Sequence, residues 1–285
     1  MDINKVGIVG FGTMGSGIAT VAAINGFSVT VFEANAEMLK KGHASVSKSI
    51  ERLLKKNEIT GDVASFTKNI SSAASLAELK NCDIVIEAVV ENKQIKADIF
   101  RQLDGVVSPA CILATNTSSF SIAELGKATK RPDKVIGMHF MNPVPVMKLV
   151  EVVHSDKTSQ ETLAAVKTLA EKLNKTPVIV KDSPAFVINR LLIPMINEAC
   201  FVLMEGVTDA ASIDNVMKLG AGHALGPLAL SDLIGNDVVL AIMQVLHEEM
   251  KTPKYQPCPI LVKMVAEGKL GRKTGNGFYD YAKQP

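Results

Sequence analysis

The sequence is sparing in the features that mark metal-bound, nucleic-acid-binding or membrane chains. Its four cysteines, Cys82, Cys111, Cys200 and Cys258, lie far apart with no Cys-x-x-Cys. That excludes a cysteine zinc site of the usual spacing, fits a reducing cytoplasm, and leaves no metal to be expected. The net charge is only +2, which argues against a nucleic-acid or other polyanion surface. No apolar run is long enough to span a bilayer, so no membrane partner is expected. Met1 to Lys5 leads straight into a strand, which predicts no signal or transit peptide. Tryptophan is absent, and there is neither an internal repeat nor a low-complexity segment. What is present is a chain of 285 residues, 47% apolar and 21% charged, long enough for two domains and a sizeable core.

The first domain opens with an apolar run, Lys5 to Val9, followed by Gly10-Phe11-Gly12-Thr13-Met14-Gly15. A helical stretch from Ser16 stops at Gly26, and a second strand, Ser28 to Phe32, ends on Glu33. Strand, glycine turn, helix, strand and acid in this order predict a dinucleotide site. The glycines let the backbone approach a pyrophosphate at the helix N-terminus, and the acid accepts from the ribose hydroxyls. A carboxylate at Glu33 would repel a 2′-phosphate, so NAD(H) is expected over NADP(H). Glycines chosen only for packing would give the same motif.

A long helix is expected from Ala36 to Lys56, with Lys48, Arg52 and Lys56 at intervals of four and Lys55 beside them. These cations share one face, either as a solvated surface or as a stripe for a phosphorylated ligand. Further strands end in polar turns: Asp83 to Val90 at Glu91, with Lys96 following, and Ala110 to Ala114 at Thr115-Asn116-Thr117-Ser118-Ser119. In a doubly wound sheet, ligands sit beyond the carboxyl ends of the strands, which gathers Gly10 to Gly15, Glu33, Glu91, Asn116, Ser118, His139 and Asn142 at one edge. Ser118 and Ser119 are also candidates for capping a helix at Ser121 to Leu125.

The strand at Val135 to Met138 ends on His139, and a loop holding Pro143 and Pro145 leads to a strand at Leu149 to Val153 that contains Glu151. This strand is expected to close the sheet. Folding back would bring Glu151 to His139, where the carboxylate would fix the ring tautomer for acid–base work. The same spacing also fits a partly buried histidine and an unrelated surface glutamate. A helix at Ser159 to Leu173 and a short strand at Pro177 to Lys181 complete the first domain at about residue 183.

The fold class expected is α/β, a Rossmann-type doubly wound sheet over residues 1–183 followed by an all-α domain over residues 184–285. Ser183-Pro184 reads as N-cap and first helical residue of a helix over 185–205, apolar nearly all round, with Pro194 inside and Gly206 at its end. Thr208-Asp209 starts another helix, and Ser231 to Met250 reads as a third. Asn189-Arg190 is a polar island that fits either a site or a buried hydrogen-bonded junction. The apolar helix predicts a homodimer through the second domain.

Six blocks together carry a resemblance that spans essentially the whole chain. They are Gly10 to Ala19, Asn116 to Ser119, Gly137 to Pro143 with Lys148 to Val152, Phe186 to Arg190, and Gly271 to Tyr279. The chain resembles the short-chain L-3-hydroxyacyl-CoA dehydrogenases, most closely the bacterial 3-hydroxybutyryl-CoA dehydrogenases. The resemblance implies a cytoplasmic oxidoreductase that uses NAD to interconvert 3-hydroxybutyryl-CoA and acetoacetyl-CoA. It implies His139 as general base, Glu151 as its partner, and Ser118 and Asn189 as holders of the substrate's oxygens. It implies cofactor contacts from Gly10, Gly12, Thr13, Met14, Gly15, Glu33, Ala88, Glu91, Lys96, Asn116, Ser118, Asn142 and Lys273, and CoA-phosphate contacts from Arg52 and Lys56. Ala185 stands where the family usually has Gly, and Gly222 and Ala224 replace the more common Asn and Pro. The rivals are a dehydrogenase of the same superfamily acting on a non-CoA hydroxy acid, and a catalytically silent dinucleotide-binding protein.

Overall fold

The structure is a computed structural model that describes residues 2–282. The chain divides into two compact units, Met1–Ser183 and Pro184–Pro285.

In the first unit, β1 (Lys5–Val9), α1 (Thr13–Ile24) and β2 (Ser28–Phe32) lead to α2 (Ala36–Lys55), α3 (Val63–Thr67) and β3 (Ile70–Ala73). Then come β4 (Ile84–Glu87), α4 (Lys93–Val106), β5 (Ile112–Thr115), α5 (Ile122–Gly126), β6 (Val135–Phe140), β7 (Leu149–His154), α6 (Gln160–Lys172) and β8 (Thr176–Lys181). The eight strands form one sheet in the order β3-β2-β1-β4-β5-β6-β7-β8. All neighbours are parallel except β6 and β7, which run antiparallel. β4, β5 and β6 are buried at every position, the continuous apolar pattern of strands covered on both faces. The expectation that β7 closes the sheet is corrected, because β8 pairs beyond it as the edge strand.

α2 shows how the sequence sorts its faces. Asn35 caps it by accepting from the amides of Glu37 and Met38. Gly42, Val46, Ile50 and Leu53 are buried, whereas Lys48, Arg52 and Lys55 are exposed. Lys56 lies one residue past the helix, at its C-cap. Gly42 meets the glycine turn so closely that a Cβ there would overlap the edge of the Phe11 ring and stand 2.6 Å from the Phe11 carbonyl oxygen.

The second unit holds α7 (Ile188–Met204), α8 (Ala210–Ala221), α9 (Pro227–Ile234), α10 (Asn236–Met250) and α11 (Pro259–Ala266). Two expectations fail here. The first helix begins at Ile188, because Ala185 and Phe186 take left-handed conformations at φ 57° and 54°. Both side chains are buried, and packing has overridden the Ser-Pro start signal. In α7, Ile193, Ile196, Asn197, Ala199 and Cys200 face the core while Leu191 is 68% exposed. The helix expected over Ser231–Met250 is two, bent by 98° at Gly235. Gly235 sits at φ 107°, which a side chain disfavours. Buried Asn236 fixes the corner, donating to Asp232 Oδ1 at 3.0 Å and to the Lys269 carbonyl at 2.9 Å. Among the described residues no single helix is long and apolar enough to cross a membrane.

Candidate active site

Strand order places the sequence's candidates in a row at the carboxyl edge of the sheet. From β2 to β6 the row runs Glu33, the glycine turn of β1, Glu91 after β4, Asn116 to Ser119 after β5, and His139 in β6. Four strand spacings make this row about 19 Å long.

The glycine turn is shaped by contacts that exclude side chains. A Cβ on Gly10, at φ 92°, would lie 2.7 Å from the Ala88 carbonyl oxygen, and one on Gly15 would overlap the Gly10 carbonyl. Gly12 is different: a Cβ there would meet only Met38 Cε, at 4.0 Å. Gly12 is also the N-cap of α1 and offers no side-chain cap. The first amides of α1, at Thr13 and Met14, therefore begin a helix with open space above it, the setting that receives a phosphate. Glu33 closes one side, accepting from Phe11 N at 2.9 Å and Asn35 N at 3.1 Å. A cleft of about 670 Å³ lies beside it, lined by Gly10, Glu33, Ser75, Val89 and Ile99 among others. These residues fit the adenosine and pyrophosphate of a dinucleotide.

His139 and Glu151 are direct cross-strand partners in the antiparallel β6–β7 register. His139 Nδ1 lies 2.7 Å from Glu151 Oε2, and both side chains are buried. The carboxylate accepts from Nδ1–H, which puts the lone pair of the neutral ring on Nε2. Asn116 Oδ1 accepts from Phe140 N at 2.9 Å, tying the end of β5 to the residue after His139. Asn142 is exposed just beyond and precedes a cis peptide to Pro143.

Glu91 draws the β5 turn together. Its Oε1 accepts from Thr117 Oγ1 at 2.6 Å, Ser118 N at 2.9 Å, and the Ser118 and Ser119 hydroxyls at 3.1 Å. Burial opposes its ionisation, but Lys96 and the bonds from Thr117 and Ser118 outweigh burial and hold its carboxyl below the usual range. Lys96 sits 3.2 Å from Glu91 and 2.8 Å from Glu87. Sequence reasoning missed Glu87, although an acid ending an otherwise apolar strand was its signal. Capping falls to neither Ser118 nor Ser119, since Ser121 caps α5.

Arg52 and Lys56 are exposed, with Lys56 only 3.9 Å from Glu58. Asn189 and Lys273 belong to the second unit. Asn189 is in the first turn of α7, and Lys273 Nζ pairs with Asp237 at 2.5 and 2.7 Å. Gly222 is the left-handed C-cap of α8 at φ 70°, a position that suits Gly and Asn alike. The cysteines are buried, and burial pushes the thiols of Cys82 and Cys111 up to about 11 and about 12.

Comparison with known proteins agrees with this geometry. Residues 5–183 match the family described as 3-hydroxyacyl-CoA dehydrogenase, NAD binding domain, and residues 186–281 match its C-terminal domain. A probable 3-hydroxybutyryl-CoA dehydrogenase of Deinococcus radiodurans is 50% identical over 277 residues, covering 97% of this chain and all of the relative. The 3-hydroxybutyryl-CoA dehydrogenase of Bradyrhizobium diazoefficiens is 49% identical and covers 98% of this chain and 96% of its own. The crystal structure of (S)-3-hydroxybutyryl-CoA dehydrogenase from Ralstonia eutropha superposes with a TM-score of 0.95 at 50% identity, covering 99% of this chain and all of that one. With both domains matched and half its residues shared with such relatives, the chain belongs to the 3-hydroxyacyl-CoA dehydrogenase family.

Proposed function

We propose that the protein is an NAD(H)-dependent dehydrogenase that interconverts (S)-3-hydroxybutyryl-CoA and acetoacetyl-CoA. The observation that carries this reading is the buried His139–Glu151 pair at the end of the row that runs from Glu33 past the glycine turn. NAD supplies the hydride acceptor in one direction and, reduced, the donor in the other. His139 Nε2 takes the 3-hydroxyl proton during oxidation and returns it during reduction. Glu151 holds Nδ1–H, so the ring does not rotate and the imidazolium formed is stabilised. Ser118, in the turn gathered by Glu91, is proposed to orient the substrate's oxygen, and Asn189 of the second unit to donate to it.

Gly10, Gly12, Thr13, Met14, Gly15, Glu33, Ala88, Glu91, Lys96, Asn116, Asn142 and Lys273 are proposed to hold the dinucleotide. The two backbone amides braced on Glu33 support a standing carboxylate there, and kcat/KM is expected to favour NADH over NADPH. Arg52 and Lys56 are proposed to meet the CoA phosphates. The first unit would then be the NAD-binding domain, and the second the substrate and dimerisation domain of a cytoplasmic homodimer with no membrane or nucleic-acid partner. Exposed Leu191, Val207, Val216 and Leu219 in that unit support the dimer. A stable, active monomer in light scattering at micromolar concentration would overturn it.

Absorbance at 340 nm with acetoacetyl-CoA and NADH is the direct test. Rapid loss of NADH is expected. Turnover of a free 3-oxo acid but not of the CoA thioester would favour the non-CoA reading, and no turnover of either would favour a silent dinucleotide-binding protein.

A further inference from the structure

The end of β4 hides a charge that the proposed reaction does not use. Glu87 is 0% exposed and Lys96 1%. Glu87 Oε1 accepts from Lys96 Nζ at 2.8 Å and from Val89 N at 2.7 Å, and its Oε2 accepts from Thr115 Oγ1 at 2.7 Å. On its other side Lys96 reaches Glu91 Oε2 at 3.2 Å. Two carboxylates thus share one ammonium, and the cluster holds one negative charge in excess. A buried cation needs a counter-charge, but one carboxylate would supply it. The excess is also a standing one, because Glu91 is held ionised by Lys96, Thr117 and Ser118 against the cost of burial.

The two acids differ in what they face. Glu87 has no access to the cleft, whereas the Glu91 side chain is 37% exposed. The row along the sheet edge runs from Glu33 through the glycine turn and Glu91 to His139. With the adenosine ribose at Glu33, the reacting end of the dinucleotide points towards His139 and so passes the Glu91–Ser118 turn. The oxidised nicotinamide ring is positively charged and the reduced ring is neutral. Any standing charge beside that turn discriminates between them.

We propose that Glu87 is a positioning residue that sets the protein's preference between the oxidised and reduced forms of its dinucleotide. It satisfies Lys96 from inside the core and leaves the negative charge of Glu91 uncancelled at the cleft. Binding of the oxidised form is thereby favoured, relative to what an isolated Lys96–Glu91 pair would allow. Glu87 does this without touching cofactor or substrate. The inference rests on the dinucleotide reading above.

The test is titration of the full-length protein with NAD+ and with NADH at pH 8, by calorimetry, reading the ratio of the two dissociation constants. Glu87→Gln keeps the shape and a carbonyl acceptor for Lys96 but removes the charge. It should weaken NAD+ by about threefold to tenfold relative to NADH, the range expected for one partly screened charge at cleft distances. Thr115→Val disturbs the same network without changing charge and should leave the ratio alone. Glu87→Leu with Lys96→Met removes one charge of each sign. It is expected to weaken both forms alike and to keep the ratio near that of the unmodified protein.

A ratio unchanged in a folded Glu87→Gln protein overturns the proposal. An equal shift in Thr115→Val does the same, since packing would then be the cause. If Glu87→Gln does not fold, the double variant decides. A swing towards NAD+ would mean that Lys96 had been cancelling Glu91 all along, and an unmoved ratio supports the proposal. Failure of the unmodified protein to bind either form overturns the dinucleotide reading itself, a separate result.

Discussion

The first unit carries two sets of charged side chains in opposite settings. His139 and Glu151 stand on paired strands, buried, with their hydrogen bond fixed by sheet register. Lys48, Arg52 and Lys55 stand in solvent on α2, with only the opposite face of that helix in the core. A buried pair held by backbone on both sides has one geometry and costs nothing to reorganise, so it can act on a developing charge. Exposed lysines and arginines keep their rotamer freedom and are screened within about 8 Å at physiological salt. They can attract an anion but cannot aim at a transition state. The contrast predicts that one set governs kcat and the other KM.

Breaking the buried set should have the largest effect. His139→Ala removes the proton acceptor and should lower kcat by about 10²–10⁴-fold, with NADH affinity nearly unchanged in a binding titration. Full activity in that variant would remove the contrast altogether. Glu151→Gln should come next, keeping the fold by circular dichroism but lowering the rate and displacing the pH–rate profile. The exposed set should answer differently. Arg52→Ala with Lys56→Ala should raise KM for acetoacetyl-CoA by about tenfold, taking each contact at roughly 0.5–1 kcal/mol. KM for NADH and turnover of a truncated thioester without the nucleotide should not move. Equal losses on both thioesters would make the stripe a solvated surface and nothing more.

Lys175 sharpens the comparison because it is buried like the first set but, among the described residues, has no carboxylate partner in the bonds it makes. Lys175 Nζ donates to the carbonyls of Val144 at 2.5 Å and Met147 at 2.9 Å, inside the loop that joins β6 to β7. Burial, and then nearby Lys148, lower it from the ordinary 10.5 to about 8. The folded protein therefore gives up this proton more readily than the unfolded chain. Between about pH 8 and 10.5 the unfolded state binds more protons, so this group's contribution to stability increases as pH rises through that window. Urea denaturation at pH 7 and pH 9.5 should show wild type gaining on Lys175→Met at the higher pH. No gain would mean that the two carbonyls hold the charged amine as well as water does.

Which parts were legible follows from how local their causes are. The strand, glycine turn, helix and acid of residues 5 to 33 are set by neighbours in sequence, and the structure has them as β1, α1, β2 and Glu33. The return of Glu151 to His139 needed only two strands and a loop with prolines. The corners of the second unit were hidden. Ser183-Pro184 signals a helix start, but burial of Ala185 and Phe186 holds the backbone left-handed. The apolar pattern runs on through Gly235, and only the contacts of Asn236 with Asp232 and Lys269 reveal the bend. Glu87 was overlooked for the same reason, since Lys96 and Thr115 reach it from 9 and 28 residues away.

Gly42 gives the first unit a property that matters to anyone who would re-engineer it. The residue lies at the tight contact where α2 meets Phe11, and the amide of Phe11 is one of the two that brace Glu33. The helix that displays the cation stripe and the carboxylate proposed to face the ribose are thus both gauged against Phe11, one by its ring and carbonyl and the other by its amide. A side chain at position 42 would shift both at once. Variation at Glu33, proposed to set nucleotide choice, or at Arg52, proposed to meet the CoA phosphates, is open to selection one site at a time only while that glycine stays. The position is in this sense a shared datum, and libraries built around either site should hold it constant.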